Sequence, residues 1–346
     1  MRYEESEEQA IEEITKWECW DKFLESRSNS GFRQSSWYAD FIGCENFGTV
    51  LKDGETIFGG AVVFRHTFGP DKCYYYIPDG PVLPESDPIS DQKQAFDAIL
   101  EFIERERQDE QRVVSHLCIN PRWERVPGFV TGFRESKHWY GMPRDIQCID
   151  LDPSEDDILA QMKPKGRYNV RVARRHGVSV LEDVSSQGIA DFLNIYEEMV
   201  ARKKLHEWFR RAVVPDYFST LISTLSASGR GSVFFAEYQG TRLATVLVVY
   251  FADTATYYYG GSRAIHRNVM APYLLHFEIM RKAKALGCRY YDLLGVTPSG
   301  EPDNGWKDIS VFKRKLGGRE LRLVPTLEYV YDPVAYEEYE EWELTE

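Results

Sequence analysis

The chain has 346 residues with 43% apolar and 14% aromatic content, a composition that excludes a disordered chain and favours two globular domains over one core. Its longest apolar stretch, Leu243 to Ala252, is about half of the roughly 20 residues a membrane helix needs, and its acidic start (MRYEESEEQAIEEITKWE) lacks the apolar core of a secretory signal. A net charge of −13 argues against a DNA-binding or generic nucleic-acid-binding protein, but residues 151–324 alone carry +6 and the remainder −19, so an acidic body holds a basic segment.

In chain order, helical material is expected over 7–25. The strands GETIFGGAVVF (54–64) and KCYYYIPDGPVL (72–83) follow, then a helix FDAILEFIERER (96–107) with apolar residues at three- and four-residue spacing, then a strand VVSHLCI (113–119). The segment GFRESKHWYG (132–141) closes this first copy. A domain boundary is expected at Asp150 to Pro153, with helices at 155–176 and 187–206 beyond it. The pattern then repeats: GTRLATVLVVY (240–250), TYYYGGSR (256–263), a helix APYLLHFEIMRKAKALG (271–287), a strand CRYYDLLG (288–295) and the closing FKRKLGGRE (312–320). Pro272 near the first turn and Gly287 past the end give that helix the right polarity of start and stop signals. The predicted organisation is therefore α/β with mixed sheets, as two tandem domains over 1–150 and 151–324. The acidic, aromatic segment 325–346 is expected to pack on the first domain, whose charge it shares.

Six cysteines without a CxxC pair suit neither a zinc spacing nor a disulfide framework and read as free thiols in a reducing cytoplasm. The seven histidines are dispersed, no HExxH or Ser/His/Asp arrangement is present, and no metal is expected. Tyr257 and Tyr259 should share one face of their strand by alternation, with Tyr258 on the other. Lys163, Lys165, Arg167, Arg171, Arg174 and Arg175 place six cations within a short helical run. Arg167, Arg171, Arg174 and Arg175 are expected largely on one side, with Tyr168 inside the run. Such a face suits RNA phosphates or is simply solvated. Read from its own chemistry, Lys313 is an exposed lysine at a strand edge before a glycine pair.

The blocks QSSW (34–37), YIPDGPV (76–82), CINP (118–121), MKPKGRYNVRVARRHGVSV (162–180), YYYGGS (257–262), APYLL (271–275), RYYDLLG (289–295) and FKRKLGG (312–318) run over nearly the whole chain. Together they resemble the FemABX family of non-ribosomal peptidyltransferases, in the short form without the helical arm. The resemblance implies two GNAT-like acyltransferase domains and attack of an acceptor amine on the ester of an aminoacyl-tRNA, which serves as co-substrate with no cofactor. It makes Lys313 the group that stabilises the developing oxyanion and Phe312 a lining residue of the pocket. It places Tyr257, Tyr259, Tyr217, Arg211, Trp37 and Asn120 around the substrates, and Lys163, Lys165, Arg167, Arg171 and Arg174 on the tRNA. The acceptor would be a peptide or a peptidoglycan precursor in the cytoplasm, with peripheral membrane contact left open.

Three departures from the family pattern bear on the acceptor. No lysine follows Trp37. Val213 stands where an arginine precedes the Tyr–Phe pair, with Arg210 and Arg211 slightly upstream. Asn120 replaces an aspartate and cannot serve as a base. A tRNA-dependent ligase for another amine, an acyl-CoA N-acyltransferase and a non-catalytic binding protein are the competing readings. The glycine-rich loop of coenzyme A binding is missing after Gly260 and Gly261.

Overall fold

The computed structural model describes residues 9–28, 30–85, 89–138, 140, 141, 143–203, 215–298, 300 and 306–345. It divides into two compact units, Met1–Arg144 with Leu323–Glu346, and Asp145–Arg322. The division falls at Arg144/Asp145 rather than at 150, because Asp145–Asp150 (β7) is a strand of the second unit's sheet, paired with Tyr290–Gly295 (β12) on one side and Arg319–Arg322 (β13) on the other. Ile146 to Ile149 are all buried, as a strand inside a sheet requires.

The first unit's sheet runs in the order β1-β2-β3-β4-β5-β14-β6. Its strands are Gln9–Glu13 (β1), Asn46–Asp53 (β2), Thr56–Thr67 (β3), Lys72–Pro78 (β4), Val113–Asn120 (β5), Arg134–Glu135 (β6) and Leu327–Val330 (β14). The stretch expected as helix from residue 7 thus opens on a strand, and its helix is Trp17–Glu25. Only β4 and β5 run parallel; they are joined by the helix Ile89–Asp109 in the crossover that parallel neighbours require. That helix lays Phe96, Ile99 and Ile103 on Phe47, Tyr75 and Leu117. The C-terminal helix Pro333–Thr345 places Tyr336 and Tyr339 against Phe68 and Tyr74 within the same unit.

The second unit repeats this order, with β8-β9-β10-β11-β12-β7-β13 read from its opposite edge. Its further strands are Ser179–Glu182 (β8), Gly231–Tyr238 (β9), Thr241–Phe251 (β10) and Thr254–Ser262 (β11). Again only the fourth and fifth, β11 and β12, are parallel, joined by the helix Ala271–Ala285. β10 is buried along almost its whole length, because Ala271–Ala285 covers one face and Ser186–Lys203 the other. The sixth strand is supplied differently in the two sheets: β7 enters from the connection and β14 from the C-terminus. None of the six cysteines is in a disulfide, and among the described residues no helix is long and apolar enough to cross a membrane.

Candidate active site

In the second unit β11 and β12 pair over only three positions, Thr254–Thr256 against Tyr290–Asp292. Both strands continue, β11 to Ser262 and β12 to Gly295, without further ladder between them. They part at Tyr257 and Leu293. β12 also bulges there: its pairing with β7 passes from Asp292↔Cys148 to Gly295↔Ile146, so Leu293 and Leu294 together oppose one residue. Leu294 takes φ +56° and its N–H donates to Asp292 Oδ1 at 2.7 Å. The bulge turns the Gly295 carbonyl to a side chain, and that side chain is Lys313, whose Nζ donates to it at 2.6 Å.

Lys313 is not at a strand edge. It lies on the helix Lys307–Lys315 and is 5% exposed. Ser310 Oγ accepts the Thr297 N–H at 2.8 Å and donates to the Trp306 carbonyl at 2.7 Å, while Arg314 donates to the Thr297 carbonyl, so the helix is tied to the chain leaving β12. The glycine pair after it has a steric reason. Gly318 sits at φ +77°, and a Cβ there would lie 2.1 Å from the Cys148 carbonyl oxygen. Likewise a Cβ on Gly166 would lie 2.0 Å from the Lys315 carbonyl oxygen, so the KPKG segment lets the helix Pro164–Arg175 pass the end of the Lys313 helix.

Burial lowers the Lys313 ammonium to about 7, with the charge of buried Asp292 opposing the fall. The Nζ also stands 5.7 Å from the Tyr257 ring centre and 5.8 Å from that of Trp306, where π-faces favour the charged form. Phe312 packs on Tyr273 at 5.0 Å and on His276 at 5.3 Å. His276 in turn meets Tyr257 at 4.8 Å and hydrogen-bonds the Tyr291 hydroxyl through Nδ1 at 2.8 Å. Burial first, then the Lys313 charge, holds His276 down at about 3, so it is neutral and can position its neighbours without competing for the proton. His276, Asp292 and Tyr291 escaped the sequence reading. The histidine was one of seven dispersed ones, and only the crossover helix brings it beneath Tyr257.

The two tyrosines expected on one face are on opposite faces. β10 and β11 pair Leu247↔Tyr259 and Val248↔Tyr257, so Tyr258 is an extra residue that shifts the alternation. Tyr257 faces His276 and Lys313; burial raises its hydroxyl to about 12. Tyr259 packs on Phe218 at 4.9 Å and Tyr196 at 5.9 Å and shares a 3.1 Å hydroxyl contact with Tyr217. Tyr217 and Tyr259 therefore form a second group, on the face of the sheet away from Lys313. Arg211 lies outside the described residues.

Trp37 and Asn120 belong to the first unit. Trp37 stacks on Phe32 at 5.5 Å, and its indole N–H is buried without a hydrogen-bond partner among the described residues. Asn120 donates to Thr326 Oγ1 at 2.6 Å. Along the basic run, Lys165, Tyr168, Arg171, Arg174 and Arg175 are exposed, and Lys165, Tyr168, Arg171 and Arg175 form a stripe at three- and four-residue spacing. Arg167 does not share it: its guanidinium caps the preceding helix on the Ala160 and Met162 carbonyls. Arg174 pairs with Glu278 at 3.2 Å and covers Phe277. Lys163 is exposed at the helix start, and Lys165 stands over the Tyr168 ring at 4.6 Å.

Residues 164–308 match the family model described as Acetyltransferase (GNAT) domain. The chain is 20% identical, over 91% of its length and 92% of the relative's, to a Lipid II:glycine glycyltransferase of Staphylococcus epidermidis. Among solved structures it is similar to FemX, with TM-score 0.82 and 16% identity over 94% of this chain and 99% of that one. It is similar also to a tandem GNAT protein of the clavulanic acid biosynthesis pathway, with TM-score 0.51 and 13% identity over 94% and 99% of the two chains. The C-terminal domain of a putative lysylphosphatidylglycerol synthetase from Agrobacterium fabrum follows, with TM-score 0.54 and 15% identity over 93% and 96%. The repeated strand order and these likenesses agree with the FemABX resemblance of the sequence: the chain has the FemX fold, two GNAT-type units in tandem.

Proposed function

We propose that the chain is an aminoacyltransferase that moves an amino acid from aminoacyl-tRNA to the amine of a peptide acceptor, forming an amide. A peptidoglycan-precursor branch is the proposed acceptor, in keeping with the lipid II glycyltransferase to which the chain is similar. The observation that carries the reading is Lys313, a buried ammonium donating to Gly295 where β11 and β12 part. The acceptor nitrogen attacks the ester carbonyl carbon, and the carbonyl oxygen gains the negative charge. Lys313 offers that oxygen a cation in a site of low dielectric. Collapse of the intermediate breaks the bond to the ribose oxygen, and the proton lost by the amine ends on that oxygen. The exposed stripe of Lys165, Tyr168, Arg171 and Arg175 supplies phosphate contacts and one stacking surface for the tRNA.

An acyl-CoA donor fits less well. Arg263, ahead of the helix Ala271–Ala285, already binds Glu198 at 2.6 Å and Asn194 at 2.5 Å. The test is transfer from charged total tRNA, each amino acid labelled in turn, to candidate acceptors. Ribonuclease-sensitive transfer is expected; transfer that survives ribonuclease and needs acyl-CoA overturns the donor assignment.

A further inference from the structure

The first unit buries a second cluster of chemistry-bearing side chains. His116 and Cys118 alternate on β5 and so share a face, and Glu328 of β14 stands directly opposite Cys118 in the antiparallel register. All three are buried, and one donor atom of each lies within 4.8 Å of the other two. Tyr140 brings its hydroxyl among them, 3.0 Å from His116 Nε2, 3.1 Å from Glu328 Oε1 and hydrogen-bonded to Cys118. His116 and Glu328 are held by further contacts. Ser115 Oγ lies 2.8 Å from His116 Nδ1, Tyr336 donates to Glu328 Oε2 at 2.7 Å, and Ser136 donates to Glu328 Oε1. The cation paired with this carboxylate, Arg134, stands 3.7 Å from it and is itself half exposed. A carboxylate buried beside a thiol calls for more positive charge than that.

We propose that His116 Nε2, Cys118 Sγ, Glu328 Oε1 and the Tyr140 hydroxyl are the inner shell of a Zn²⁺ site. One nitrogen, one sulfur and two oxygens suit this borderline cation, and bonds of about 2.0–2.3 Å draw such donors into a tetrahedron. Ser115 on the far nitrogen of His116 and Tyr336 on the far oxygen of Glu328 are the outer contacts such ligands use to hold orientation. Binding replaces the Cys118 S–H and Tyr140 O–H bonds by bonds to zinc and releases both protons to solvent. Four protein donors leave no open position, so the ion is structural. It ties β5, β14 and the chain at Tyr140 together beneath Tyr336 and Tyr339 of the C-terminal helix. Sequence spacing gave no sign of it, since the donors come from segments far apart in the chain.

The test uses the full chain purified without chelator, its metal content measured by mass spectrometry, and the metal-stripped protein titrated with Co²⁺. One zinc per chain is expected, with cobalt giving a thiolate charge-transfer band and tetrahedral ligand-field bands. Cys118→Ser removes the thiolate band, whereas Cys19→Ser, at an exposed thiol, leaves it unchanged. Ser115→Ala keeps every ligand and lowers cobalt affinity by about 10–100-fold, which covers the case in which a ligand variant does not fold. A protein that purifies metal-free and stays spectrally silent with cobalt overturns the site, as does Cys118→Ser with unchanged bands. The cluster is then a hydrogen-bonded network centred on Tyr140.

Discussion

Tyr74–Tyr75–Tyr76 and Tyr257–Tyr258–Tyr259 occupy the fourth strand of two sheets with the same strand order, and they do different things. In the first unit the triplet pairs residue for residue with His66, Arg65 and Phe64. Tyr75 then enters the core beneath Phe47, and Tyr74 and Tyr76 share the other face. In the second unit Tyr258 bulges, and the residues beside it point to opposite sides. The neighbouring junction differs in the same sense. β4 stays paired with β5 from Lys72 to Pro78, and Gln34 closes its end with hydrogen bonds to Val62 N–H, Val62 O and Pro78 O at 2.8, 3.1 and 2.8 Å. β11 leaves β12 after three pairs, and Lys313 fills the opening. One duplicated scaffold thus yields a sealed junction and an open one, and the proposed function places its chemistry at the open one, where backbone groups and a buried cation are not consumed by the ladder.

The most severe way to break this contrast is Lys313→Ala. Loss of one preorganised oxyanion partner is expected to cut turnover by about 10²–10³-fold with the circular dichroism spectrum unchanged. Turnover within a factor of a few would remove Lys313 from the chemistry. Lys313→Arg sharpens the same point. The wild-type rate should fall as pH rises through about 7, where the ammonium loses its proton, and the guanidinium variant should lack that limb in its pH–rate profile. Folding should show the opposite sign. The folded chain holds this proton less tightly than the unfolded one, so stability rises between about 7 and 10.5, and Lys313→Met flattens that rise in urea titrations across pH.

On the sealed side, Gln34→Ala should cost about 3 kcal/mol, since it strands the buried Val62 N–H and Pro78 carbonyl, with the proposed site of the second unit intact. Equilibrium unfolding in urea measures this, and a loss too small to detect would mean the seal is not structural. Gly318→Ala strains a positive φ and drives a Cβ onto the Cys148 carbonyl, for about 1–3 kcal/mol of destabilisation. A melting temperature equal to wild type would contradict that packing. The smallest effect is expected at the basic stripe. Reversing Lys165 and Arg171 to Glu should weaken tRNA binding and reduce the slope of log affinity against log salt by about 1–2. An unchanged slope would free the stripe from RNA.

Much of the fold was legible because both copies carry their periods plainly. The β-branched strand GTRLATVLVVY and the helix APYLLHFEIMRKAKALG fall where their patterns place them. The candidate site was picked out only through motif resemblance at Lys313 and Phe312. Alternation put Tyr257 and Tyr259 on one face, and a bulge has no period to announce it. The grouping of four arginines on one side of their helix failed at Arg167 alone, because its guanidinium turns to the carbonyls of Ala160 and Met162, whereas Arg174 stays exposed while pairing with Glu278. The boundary slipped from 150 to 144 because β7 reads as the end of one copy while its hydrogen bonds belong to the next.

What the amino-acid order determined by itself was local: the periods of helices and strands, their turn and cap residues, and the duplication of one strand–helix–strand unit, all of which depend on residues a few positions apart. The tertiary structure alone decided where a ladder stops, which of two like tyrosines meets the lysine, and how a lysine that looks solvated becomes a buried ammonium whose pKa burial lowers to about 7. Those outcomes are set by hydrogen-bond pairing and desolvation between segments distant in the chain, and no spacing of residues along it encodes them.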